Sequence, residues 1–223
     1  MTEPRGYISG SRRPAALLYD WDNTLVDGWA GITAALNAVF AEFGHPPWTT
    51  ENTRNRVRVA LRESFPVMFG ERWEHARDVF YDSLTRQGLD HVVPMPGAEA
   101  LLQAGADWPQ GVVSNKAGAF LRREVTHLGW NGFFGPIVGA GDATADKPDP
   151  APLLLALRHL GHAAGGTVWY MGDTALDMQA ARAAGVTAVL IGDARHDGGV
   201  ERAAPDLHFK SAFEVRSRLR ELA

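Results

Sequence analysis

The chain has 223 residues, 45% of them hydrophobic and 22% charged, with a formal net charge of −4, which suits one sizeable globular domain or a domain with a small insertion. The mildly acidic balance lacks the basic footprint of a nucleic-acid binder, and with no cysteine there is no disulfide framework, thiolate metal site or cysteine nucleophile. No apolar run is long enough to span a bilayer and the first residues lack the apolar stretch of a signal peptide, so the expectation is a cytoplasmic protein, monomer or homodimer, that binds neither membrane nor nucleic acid.

The first apolar run, 15–19, leads into Asp20-Trp21-Asp22-Asn23-Thr24-Leu25. Polar groups at i, i+2 and i+4 behind a buried strand are costly unless they are used or satisfied. Two carboxylates so spaced can share a cation, or one can attack while the other moves protons. The same pattern also serves turns and helix caps.

From residue 28 to about 93 no strand-like run appears. Segment 32–43 carries Ile32, Leu36, Val39, Phe40 and Phe43 on one helical face, and 54–65 and 72–84 read similarly. Pro94, Pro96 and Gly97 mark the return to a different pattern. An all-helical insertion over 28–94 follows, with the remaining domain formed by 12–27 and 95–223.

Four further apolar runs end in Gly, Asp, Asn or Ser: 111–113, 136–139, 167–171 and 187–191, with 207–209 as a short edge candidate. Helical segments 120–128, 151–160 and 175–184 lie between them, so the fold class is α/β, a doubly wound parallel sheet. Ligands of such sheets gather beyond the carboxyl ends of the strands.

Every polar cluster falls there. Ser114-Asn115 follows the second run, where a hydroxyl and backbone N–H groups suit a phosphate oxygen; Ser-Asn is equally a helix cap. Lys147 stands in Asp146-Lys147-Pro148-Asp149-Pro150 and is one of only three lysines, with Lys116 and Lys210. Asp173 leaves the run 167–171, and Asp177, four residues on, falls in the first turn of the next helix. Two oxygen donors so placed suit a hard cation, or cap that helix.

Taken together, Asp20-Trp21-Asp22-Asn23-Thr24, Ser114-Asn115, Lys147 and Asp173…Asp177 resemble the motif set of the haloacid dehalogenase superfamily, and within it the phosphoglycolate-phosphatase-like branch. The resemblance runs from about residue 15 to 191 and includes the position of the helical insertion, which in such proteins is a cap domain on a Rossmann-like core. It implies a phosphatase acting on a small-molecule phosphate ester, with Asp20 as nucleophile forming an aspartyl-phosphate and Asp22 as general acid/base. Mg2+ would be held by Asp20, the Asp22 carbonyl and Asp173, with Asp177 close by. Lys147 would offset charge, Thr24 would support the loop, and Ser114 with the Asn115 backbone would bind phosphate. Where many relatives have glycine this chain has Asn23, a residue that tolerates the same backbone angles.

The superfamily hosts several chemistries. Asp22 and the metal aspartates argue against a dehalogenase, and the lysine-free insertion argues against a Schiff-base phosphonatase. A sugar phosphomutase and a non-catalytic binding relative stay open as alternatives. Phosphoglycolate is a possible substrate, and Arg54, Arg58 and Arg62, spaced every four residues, form a candidate anion-binding face on the insertion.

Overall fold

The protein is described by a computed structural model covering residues 13–57, 61–86 and 89–223, with all their side chains except those of 61–63 and 90. In chain order its elements are β1 (Ala16–Tyr19), β2 (Val26–Asp27), α1 (Trp29–Phe43), α2 (Thr50–Arg56), α3 (Leu61–Phe69), α4 (Trp73–Arg86) and β3 (Val93–Pro94). There follow α5 (Ala98–Ala104), β4 (Gln110–Ala117), α6 (Gly118–His127), β5 (Ile137–Ala140), α7 (Ala151–Leu160), β6 (Val168–Gly172), α8 (Ala175–Ala184), β7 (Thr187–Ile191), α9 (Gly199–Ala203), β8 (Leu207–Phe209) and α10 (Ala212–Leu222).

The four side chains of β1 are all buried, and they divide as a two-residue period requires. Leu17 and Tyr19 enter the cluster closed by α5, α6 and α10; Ala16 and Leu18 enter the one closed by α7, α8 and α9. Helices on both faces explain why the strands read as unbroken apolar runs. The six strands are parallel in the order β5-β4-β1-β6-β7-β8. The chain runs outward from β1 through β4 and β5, then returns to β6 on the other side. The carboxyl end of β1 is thus the switch point where such folds bind ligands.

Between β1 and β4 lies the helical segment α1–α4, with its own cluster of Leu36, Val39, Phe40, Phe65, Phe69, Ala76 and Phe80. The short antiparallel ribbon of β2 and β3 flanks it. Strands of two residues leave no periodic signal, and sequence reasoning missed both. The helix expected over 54–65 is corrected: α2 starts at Thr50 on a Thr49–Asn52 capping box and ends at Arg56, with Val57 extended. Arg54 therefore shares no continuous helical face with the other two arginines; Arg58 lies outside the described residues, as does the side chain of Arg62. Among the described residues no helix is long and apolar enough to cross a membrane.

Candidate active site

Asp20 leaves β1 with its backbone N–H still bonded to Met171 O at 2.8 Å, so its carboxylate is held at the sheet's edge. Trp21 O accepts hydrogen bonds from the backbone of Thr24, Leu25 and Val26, a tight loop that needs a left-handed residue, and Asn23 supplies it at φ 62°. Thr24 is buried and its hydroxyl points to Asp173 Oδ1 at 3.4 Å, tying the β1 loop to the end of β6.

Lys147 is buried and its Nζ donates to Asp20 Oδ1 at 2.6 Å, Asp177 Oδ1 at 2.7 Å and Tyr170 Oη at 2.8 Å. Three donors and three acceptors use the ammonium fully. The loop bearing it is clamped by Asn115, whose side chain donates to Lys147 O and accepts from Lys147 N, each at 2.9 Å. Asn115 and Ser114 do not follow the strand, as expected, but belong to it: β4 runs on to Ala117 past a register shift against β5. The Ser114 hydroxyl accepts from Lys116 N at 3.2 Å.

Asp177 caps its helix with one carboxylate oxygen and pairs with Lys147 through the other. Its Oδ2 accepts from Thr174 N and Oγ1, completing the capping box of α8. Its Oδ1 accepts from Lys147 and Tyr170.

The electrostatics are uneven. Burial works against the Lys147 charge, and Asp177 and Asp20 more than offset it, so its pKa lies above the ordinary lysine value. Burial also works against the Asp177 carboxylate, yet Lys147 and its hydrogen bonds bring it below the ordinary value. At Asp20 burial wins: Lys147 pulls its pKa down, Asp177 and Asp173 push it up, and it sits well above the usual carboxylate range. Three carboxylates, Asp20, Asp173 and Asp177, offer oxygens all within 4.8 Å of one another, facing one ammonium. Asp173 Oδ2 is buried, and His196 Nε2 lies 3.2 Å from it. Clustered carboxylates and an all-oxygen donor set fit a hard divalent cation.

Asp22 turns the other way. Its Oδ1 accepts from Lys116 Nζ at 2.8 Å, 94 residues away in sequence. Sequence reasoning missed Lys116, Glu124, Tyr170 and His196; the scarcity of lysine was the one signal available for Lys116. Trp21 is wholly buried in the core beside Trp130. Arg54 pairs with Asp27 Oδ2 on β2.

Residues 17–191 match the model of the haloacid dehalogenase-like hydrolase family. A phosphoglycolate phosphatase of Xanthomonas campestris is 34% identical over 188 residues, 80% of this chain and 83% of that protein; one from Xylella fastidiosa is 32% identical, covering 84% of each. Among solved structures, a superfamily hydrolase from Ehrlichia chaffeensis is 27% identical with a TM-score of 0.68 over 95% of this chain and 98% of that one. A haloacid dehalogenase-like protein from Streptococcus pneumoniae, 23% identical, shares the fold with a TM-score of 0.77 over 92% and 97% of the two chains. The chain belongs to the haloacid dehalogenase-like hydrolases, an enzyme family in which it stands beside phosphoglycolate phosphatases.

Proposed function

We propose that the protein is a Mg2+-dependent phosphatase that hydrolyses a small-molecule phosphate monoester through an aspartyl-phosphate on Asp20. The observation that carries this reading is the buried Asp20–Lys147–Asp177 arrangement at the end of β1. A carboxylate approaching a phosphate dianion meets like-charge repulsion, and a fixed cation beside it lowers that barrier.

Asp20 forms the new bond to phosphorus as the bond to the ester oxygen breaks, and Asp22 gives that oxygen its proton. Asp22 then takes a proton from the water that attacks the aspartyl-phosphate, which frees phosphate and regenerates Asp20. Lys147 offsets the charge of Asp20 and the phosphoryl group together, the Ser114 hydroxyl and the Asn115 backbone hold phosphoryl oxygens, and Thr24 steadies the loop. Asp20, the Asp22 carbonyl and Asp173 would hold Mg2+, with Asp177 behind Lys147. When bound, the ion supplies charge neutralisation at the phosphoryl oxygens.

Residues 28–94 serve in this reading as a cap domain over a core of 12–27 and 95–223, and choose the ester. The named relatives make phosphoglycolate the ester to test first. A panel of phosphate monoesters scored for phosphate release should show turnover that disappears with chelator and in Asp20→Asn, with phosphoglycolate near the top. Turnover indifferent to chelator would refute the metal, and phosphoglycolate at the bottom would refute the substrate. An isomerised sugar phosphate without phosphate release would identify a mutase.

A further inference from the structure

The proposed nucleophile and the proposed acid lie two residues apart yet have separate cations. Asp20 has Lys147; Asp22 has Lys116. Lys116 is itself held: Nζ also donates to Glu124 Oε2 on α6 at 2.6 Å, and the Trp21 indole N–H donates to the same oxygen at 2.6 Å. Trp21 is fully buried and packs edge-on against Trp130 at 5.8 Å. A rigid core side chain thus fixes Glu124, Glu124 fixes Lys116, and Lys116 fixes Asp22.

Charge and space agree. Lys116 Nζ bridges two carboxylates, Asp22 at 2.8 Å and Glu124 at 2.6 Å, and is itself only 22% exposed at its side chain. On the far side, a Cβ on Gly28 would come within 3.0 Å of Asp22 Oδ1, so the backbone there closes in on the carboxylate. Asp22 Oδ2 has no hydrogen-bond partner among the described residues, and its side chain is 31% exposed. One oxygen is anchored and the other is open to a ligand.

We propose that Lys116, braced by Glu124 and Trp21, is a positioning residue that aims Asp22 Oδ2 at the ester oxygen, and so determines how basic a leaving group the enzyme can expel. The inference rests on the phosphatase reading above. Proton transfer to the ester oxygen, as its bond to phosphorus breaks, matters most for alkoxides and least for a weakly basic phenolate. Because kcat/KM covers only the steps through release of the alcohol, it isolates this transfer from the later attack of water.

The experiment measures kcat/KM of wild type, Lys116→Met, Lys116→Arg and Glu124→Gln on alkyl phosphates, phenyl phosphate and p-nitrophenyl phosphate with Mg2+. Lys116→Met should lose about 100-fold on the alkyl esters, on the scale of a general-acid contribution, and at least tenfold less on p-nitrophenyl phosphate. Lys116→Arg should recover part of the alkyl-ester rate, and Glu124→Gln should shift the same slope by a smaller amount. Parallel losses on all esters, or no loss, would overturn the positioning role while leaving the phosphatase reading intact. If Lys116→Met does not fold, an unchanged leaving-group slope in Glu124→Gln overturns it equally. A folded wild type that releases phosphate from none of these esters defeats the phosphatase reading and this inference with it.

Discussion

The two regions of the molecule handle charge in opposite ways. At the end of β1, Asp20, Lys147, Asp173 and Asp177 are all buried, positioned by strand ends, by the loop clamped to one, or, for Asp177, by the first turn of α8. In the helical segment the interior is aromatic, with Phe40, Phe65, Phe69 and Phe80 at its centre, and among the described residues charge stays outside. There Arg56 lies over the Trp48 ring and Arg72 over Phe43, and Arg86 pairs with Asp82 one turn away. Buried charge is tolerated only where its partners are fixed. The sheet provides that fixity, and the buried charges gather at its edge.

The largest expected effect tests the core alone. Asp20→Asn should lower phosphate release by roughly 10^4-fold or more, the scale of removing a nucleophile. The same change should raise Tm in chelator by about 3 °C, corresponding to about 1 kcal/mol in a chain of this size, because it removes one of three mutually repelling carboxylates. The sign with pH follows from the raised pKa of Asp20. A raised folded value favours the fold at low pH and loses that contribution as pH rises through it. The Tm advantage of the variant should therefore be greatest near neutrality and disappear on acidification, where protonation does the same work. A variant less stable than wild type at neutral pH would contradict the account of surplus negative charge.

Next in size is Lys147→Met, which leaves the carboxylates without their cation and should destabilise by about 3–5 kcal/mol, the range for breaking a buried pair from one side. Thermal melts with and without Mg2+ check it, and added Mg2+ should restore part of the loss. Tyr170→Phe is smaller. Its hydroxyl accepts from Lys147 and donates within reach of Asp177 and Val113 O, so the loss should be about 1–3 kcal/mol, with turnover reduced but present.

Asp20, Asp22, Asp173, Asp177 and Lys147 were legible because each breaks a local expectation: carboxylates at or just past the end of an apolar run, or a rare lysine ahead of two prolines. The strands themselves were legible for the same reason, being apolar on both faces. Partners distant in sequence were not. Asn115 and Lys147 are 32 residues apart, Trp21 and Glu124 103, and no spacing rule links such pairs. The arginine face failed for a more instructive reason. A four-residue repeat predicts a shared face only inside one helix, and α2 ends at Arg56 with Val57 extended.

Arg54→Ala is the smallest effect and the one that most sharpens the contrast between the regions. Arg54 and Asp27 are 48% and 26% exposed at their side chains, and an exposed pair contributes at most about 1 kcal/mol, so Tm should fall by no more than about 3 °C. The decisive readout is KM for phosphoglycolate beside KM for an ester without a carboxylate. With the guanidinium held by Asp27, both should change by the same factor, within about threefold on the scale of such a pair. A rise confined to phosphoglycolate would mean that Arg54 leaves Asp27 to meet the substrate. The helical region would then contribute a charge to the chemistry after all, and the division between a charged sheet end and an aromatic helical segment would hold only for the arrangement described.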